Sequence, residues 1–99
     1  MPHYRVFLNG RNFSLKVDDR VQRLGFFTFR VVEAADGVEA ERLALEMLRQ
    51  DRWLTDATLN DRSDPPTIHV EEVVEAEPPD EGERTPGLSF YPSGDDVRA

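Results

Sequence analysis

The run from Tyr4 to Val17 constrains the fold more than any other part of this chain, because its apolar residues alternate but change phase once. Tyr4, Val6 and Leu8 fall on even positions, and Phe13, Leu15 and Val17 on odd ones. Period-two alternation sends successive side chains to opposite faces of a strand, so the run describes a sheet with one buried face. One shift of phase is needed to keep both apolar sets on that face. Asn9-Gly10 sits at the shift, and Asn-Gly favours a two-residue hairpin loop because both positions accept positive φ. The sequence therefore predicts a hairpin closed by Asn9-Gly10, with Leu8 opposite Arg11, Val6 opposite Phe13 and Tyr4 opposite Leu15. Phe7 is left on the other face.

Asp18 to Gly25 reads as a polar connection containing Val21 and Leu24. Phe26 to Ala34 is a third strand, rich in aromatic and β-branched residues. Phe27, Phe29 and Val31 line one of its faces, and Phe26, Thr28, Arg30 and Val32 the other. Apolar residues on both faces mark a central strand.

Asp36 with Glu39 three residues later is a capping-box pair that opens a helix. Ala40, Leu43, Ala44, Met47, Leu48 and Leu54 recur at helical spacing and form its apolar stripe. The helix is expected to end near Asp51, with Trp53 folding back onto the core and Thr55 to Pro66 forming a loop. Ile68 and Val70 then alternate, and the pattern slips at Glu71-Glu72. A β-bulge there would return Val73 or Val74 to the buried face. Residues 77–87 hold three prolines and no apolar side chain, a composition expected to be loosely held. Leu88-Ser89-Phe90-Tyr91-Pro92 is an apolar island expected to dock on its own domain or on a partner.

These elements imply an α+β fold. The expectation is one domain over residues 1–76, followed by an acidic, proline-rich tail over 77–99. The domain reads as a two-layer sandwich with a mixed four-stranded sheet and one helix on one face, plus a short C-terminal strand. The strands flanking the helix are expected to be parallel. The helix leaves one sheet face to be covered by the tail, a second copy or another protein.

Charge narrows the partners. The chain carries 12 basic and 20 acidic residues, a net charge of −8. Residues 1–50 hold eight basic and seven acidic side chains (+1), and residues 51–99 hold four and thirteen (−9). A chain of this sign is a poor general ligand for nucleic-acid phosphates. Without cysteine it has no disulfide, thiol nucleophile or thiolate metal site. It has no apolar run of about 18 residues for a membrane span. Met1 to Arg5 lack a secretory pattern, so the expected compartment is the cytoplasm.

The stretch Gly25-Phe26-Phe27-Thr28-Phe29, then Val32-Glu33-Ala34-Ala35-Asp36, then the Glu/Ala/Leu-rich helix to Arg49 resembles small bacterial α+β proteins of uncharacterised role. The β-β-β-α-β order over residues 4–75 is similar to the N-terminal domain of HicB-type antitoxins. In those proteins a hairpin and a Gly-aromatic-Thr strand precede a helix begun by Glu-Ala. The second, DNA-binding element usual in HicB antitoxins is missing. The resemblance implies the fold and, for function, a neutraliser of another protein.

No Gly-x-Ser-x-Gly elbow, dinucleotide fingerprint or phosphate loop is present. His69 and Glu71 share a strand face about 7 Å apart, and Asp61 or Asp64 could add a third metal ligand. Without ligand spacing elsewhere, these residues read as solvated strand and loop positions. No catalytic, cofactor-binding or metal-binding residue is assigned. Arg5, Arg11 and Arg30 are expected to interleave with aromatic residues on the open sheet face.

The reading is a non-catalytic, protein-binding module that forms a homodimer. Its interface residues would be Phe7, Phe26, Phe27, Arg30 and Trp53, with Phe90 and Tyr91 as a docking segment. One alternative is an antitoxin- or immunity-type neutraliser that meets a basic protein through Glu71, Glu72 and Glu75. Another is a small metal-dependent enzyme built on His69.

Overall fold

In the computed structural model the chain does not turn at Asn9-Gly10. The strand β1 (His3–Val17) runs straight through it, and the hairpin closes at Asp18-Asp19 before β2 (Arg20–Glu33). Asp18 and Asp19 take φ of 52° and 64°, the positive values that a two-residue hairpin loop requires at both positions. The predicted pairs Leu8–Arg11, Val6–Phe13 and Tyr4–Leu15 are therefore replaced by Leu8–Thr28, Val6–Arg30 and Tyr4–Val32. Arg20 to Gly25, read as a connection, belongs to β2. Its outer residues Arg20, Val21, Gln22 and Arg23 are all exposed, which explains their loop-like composition.

The phase change is a β-bulge. Arg11 and Asn12 together oppose Gly25, between the pairs Gly10–Phe26 and Phe13–Leu24, and Asn12 takes a φ of 61°. The extra residue rotates the strand so that Val6, Leu8, Phe13 and Leu15 all reach the core. A turn or a bulge satisfies the same pattern of faces. Gly10 is glycine for another reason: a Cβ there would lie 2.3 Å from Cε2 of the Phe26 ring, which covers it.

The structure describes residues 1–79 and 87–92. After β2 come α1 (Gly37–Arg49), α2 (Arg52–Ala57), β3 (Thr67–Ala76) and β4 (Ser89–Pro92). The strands form one sheet in the order β3-β1-β2-β4, and every neighbouring pair is antiparallel. The fold is α+β, but the sheet is not mixed. β2 and β3 run in the same direction on either side of α1, yet β1 lies between them and pairs antiparallel with both. The predicted bulge in β3 is present, since the ladder shifts between Phe7–Glu72 and Leu8–Val70. Val73 is the residue it returns to the core, where it packs beside Ile68 and Val70.

Helix α1 begins as its sequence requires. The Asp36 side chain accepts from the Glu39 N–H at 2.9 Å, and Glu39 accepts from the Ala35 N–H at 2.7 Å. Ala40, Ala44 and Leu48 are buried, Leu43 is half-buried, and Met47 faces solvent. The helix ends at Arg49, and Asp51 caps a second helix by accepting from the Leu54 N–H. That second helix corrects two expectations: Thr55 to Ala57 are helical and not part of a loop, and Trp53 does not fold onto the core but is left 50% exposed while Leu54 is buried. The core cluster joins both helices to one sheet face.

The loop after α2 is pinned to the β1 bulge by one side chain. Asn60 accepts from the Ser14 N–H and donates to the carbonyls of Asn12 and Asp64. It thus supplies both halves of a ladder hydrogen bond where the bulge breaks the regular pairing. The expectations for residues 80–86 and 93–99 lie outside the described residues. No described helix is long and apolar enough to cross a membrane.

Candidate functional site

Strand pairing fixes which side chains share the sheet face opposite the helices. Arg5 and Phe7 of β1 lie beside Val31 and Phe29 of β2 on one flank and Val74 and Glu72 of β3 on the other. Along β2 the same face carries Phe27 and Gly25. None of Phe7, Phe27, Phe29, Val31 or Val74 belongs to the core cluster. The Phe7 and Phe29 rings sit 5.9 Å apart, and the Arg5 guanidinium lies 5.1 Å above the Phe29 ring. Arg5 is thus held by a cation–π contact, and its Nε has no hydrogen-bond partner among the described residues. Phe27 stands out at 53% exposure beside a groove of about 400 Å³ that runs from Phe7 to Ser89.

The other end of this face is closed by β4, which pairs with β2 from Leu24–Pro92 to Phe27–Ser89. Its two aromatic residues straddle the edge. Phe90 lies on the helix side, 6.1 Å from the Phe26 ring and 5.8 Å from Trp53. Tyr91 lies on the open side, 5.1 Å from Phe27 and directly over Gly25, where a Cβ would stand 2.3 Å from its Cζ. The Tyr91 hydroxyl accepts from Asn9 Nδ2 at 2.7 Å. Asn9 also donates to the Phe26 carbonyl, and its Oδ1 accepts from Arg11 Nε at 2.6 Å. Arg11 in turn pairs with Glu71 at 3.7 Å. A polar line therefore crosses the open face from β3 to β4 through Asn9, which is only 2% exposed.

The seven predicted interface residues do not form one surface. Phe7, Phe27 and Tyr91 come together on the open face. Phe26 and Arg30 sit on the helix side, buried, because their cross-strand partners are Gly10 and Val6. Trp53 and Phe90 touch each other on that same side, at the β4 edge. Phe29, Asn9 and Gly25 complete the open face and were not among the predicted residues. The alternation of β2 pointed to Phe29; only the partner strands reveal Asn9 and Gly25.

Arg30 is 4% exposed within the core layer. It donates to Thr28 Oγ1 and to the Phe29 carbonyl, both at 2.8 Å. Burial pushes its guanidinium below the ordinary arginine value, and the nearby Asp51 charge opposes that shift. Of the predicted acidic set, Glu71 is engaged with Arg11 at the bulge, Glu72 lies opposite Phe7, and Glu75 lies opposite Tyr4. Asp64 is bound to Asn12 and Arg23. Among the described residues, no group of three His, Cys, Asp or Glu is placed to hold a metal ion, and nothing there indicates catalysis.

Comparison with family models, with curated proteins and with solved structures finds no match for this chain.

Proposed function

We propose that the chain is a non-catalytic protein-binding module. In this reading it is a two-layer sandwich whose helices cover one sheet face and whose other face pairs with a second copy of itself. The observation that carries the reading is Phe27, half-exposed beside a groove that it lines together with Phe7 and Phe29. Aromatic residues and arginine are the side chains enriched at the centres of protein interfaces. The face also supports self-pairing by charge. It carries Arg5 and Glu72 together, so a two-fold arrangement can set each against the other's counterpart.

Sedimentation equilibrium tests this reading. The wild-type chain is expected to be a dimer at tens of micromolar, a range typical of modest interfaces. Phe27→Glu is expected to yield a monomer with an unchanged circular dichroism spectrum. A wild-type chain that stays monomeric near 1 mM, about −4 kcal/mol of association, would refute the proposal.

A further inference from the structure

We propose that the outer edge of β2 at Leu24–Phe27 is an acceptor site for an extended peptide with two consecutive aromatic residues, a site the chain fills with its own Phe90-Tyr91. The site lies at the strand edge and borders the face assigned to self-pairing at Phe27 and Tyr91. It has the parts of a strand-addition site: backbone groups for a ladder and side-chain recesses on alternate faces.

Each recess pairs one aromatic ring of β4 with a feature of β2 or its neighbours. On the helix side, Phe26 and the half-exposed Trp53 form a cleft for one ring, taken by Phe90. On the open side, Gly25 interrupts an aromatic strand, and the gap left by its missing side chain is filled by the Tyr91 ring. At the end of that gap a buried asparagine, Asn9, meets the Tyr91 hydroxyl. The hydroxyl accepts from Asn9 and donates to the Gly10 carbonyl at 3.3 Å, two hydrogen bonds that phenylalanine cannot make, so the open-side recess selects tyrosine over phenylalanine.

The segment filling the site is suited to leave it. Only four of the fourteen residues of β2 pair with β4. Short edge strands belong to the least stable part of a fold. β4 belongs to the same chain as the edge it fills, so it meets that edge at an effective concentration set by the chain and not at the bulk one. A peptide supplied in trans must compete with that concentration, or gain on it by pairing along more of β2.

The test uses the full chain and a fluorescent synthetic peptide of sequence Gly-Leu-Ser-Phe-Tyr-Pro, matching residues 87–92. The F90S/Y91S chain is expected to bind it at least tenfold more tightly than wild type, because its own segment no longer competes. Adding Gly25→Val to that variant is expected to remove binding. Replacing the peptide tyrosine by phenylalanine is expected to weaken binding about tenfold, through loss of the hydroxyl's hydrogen bonds. A folded F90S/Y91S chain that ignores the peptide, or binds it equally well with Gly25→Val, overturns the proposal. Should F90S/Y91S fail to fold, the L24C/P92C chain provides the second test. Its oxidised form, with β4 locked in place, is expected to show no peptide-induced NMR shifts at Phe26 and Phe27 at millimolar peptide, and its reduced form to show them. Identical behaviour of the two forms overturns the proposal.

Discussion

The Phe26 ring occupies the space that a side chain on Gly10 would need. A Cβ at Gly10 would fall 2.3, 2.5 and 2.8 Å from three atoms of that ring. Phe26 is fully buried, packed 5.1 Å from Phe13, so it cannot yield without disturbing the core. Gly10→Ala is expected to destabilise the fold by about 1–3 kcal/mol, the usual range for overpacking. Phe26→Leu should cost less in the Gly10→Ala background than alone, because the smaller side chain makes room for the methyl group. Urea unfolding of the two single variants and the double variant measures that coupling. Additive losses would show that the two residues do not compete for the space.

This pair also shows what was legible in the sequence. The set of residues facing the core in β1 was readable from alternation, and so were the Asp36 cap of α1 and the bulge in β3, because each is a local signal. The turn was misplaced because a hairpin loop and a bulge shift the phase equally. What decides between them is distant in sequence: the Phe26 ring over Gly10 and the Asn60 amide at the bulge. Arg30 was misplaced for a related reason. Phe26 and Phe27 make both faces of β2 aromatic, so composition alone does not mark which is inside. The candidate site was half legible, since Phe7, Phe27 and Tyr91 carry an aromatic signal and Gly25 and Asn9 carry none.

Asp18 and Asp19 hold positive φ without the freedom of glycine. Such residues store about 1–3 kcal/mol of strain each, and Asp-Gly is the favoured pair at this loop. Asp19→Gly is therefore expected to stabilise the protein by about 1 kcal/mol, raising the melting temperature by about 4–8 °C for a domain of this size. Differential scanning calorimetry checks the shift, and an unchanged or lower melting temperature would contradict the strain.

Arg30 is held below its ordinary value by burial, with Asp51 opposing. A base whose folded value is depressed disfavours the charged folded form, and that cost is relieved only as pH rises into the arginine range. Arg30→Ala leaves Thr28 and a cavity behind and is expected to cost about 2–5 kcal/mol. Asp51→Asn should cost less than Asp51→Ala, since Asn still caps α2. Thermal unfolding of the three variants between pH 5 and 9 tests both statements.

Asn60 makes three hydrogen bonds that pin the loop to the bulge. At about 1 kcal/mol each, Asn60→Ala is expected to cost about 2–3 kcal/mol. Amide exchange reads the cause directly: the Ser14 N–H should lose protection more than the N–H of Val6, which lies far from the loop. Equal loss at both would mean that Asn60 acts on the whole fold and not on the bulge.

The sheet ends in two unlike margins, and together they govern whether it can grow. Strand β3 meets solvent as a bulged edge bearing Glu71, Glu72 and Glu75. Clustered negative charge and a broken ladder both repel an incoming strand. On the opposite margin, the aromatic β2 is capped along four residues by a segment ending in Pro92. Proline offers no N–H for another strand to bind. Fibril formation by this chain should therefore depend on the β4 side. Loss of that cap would leave the β2 margin as the place where copies could stack without limit, while the glutamates still guard the other.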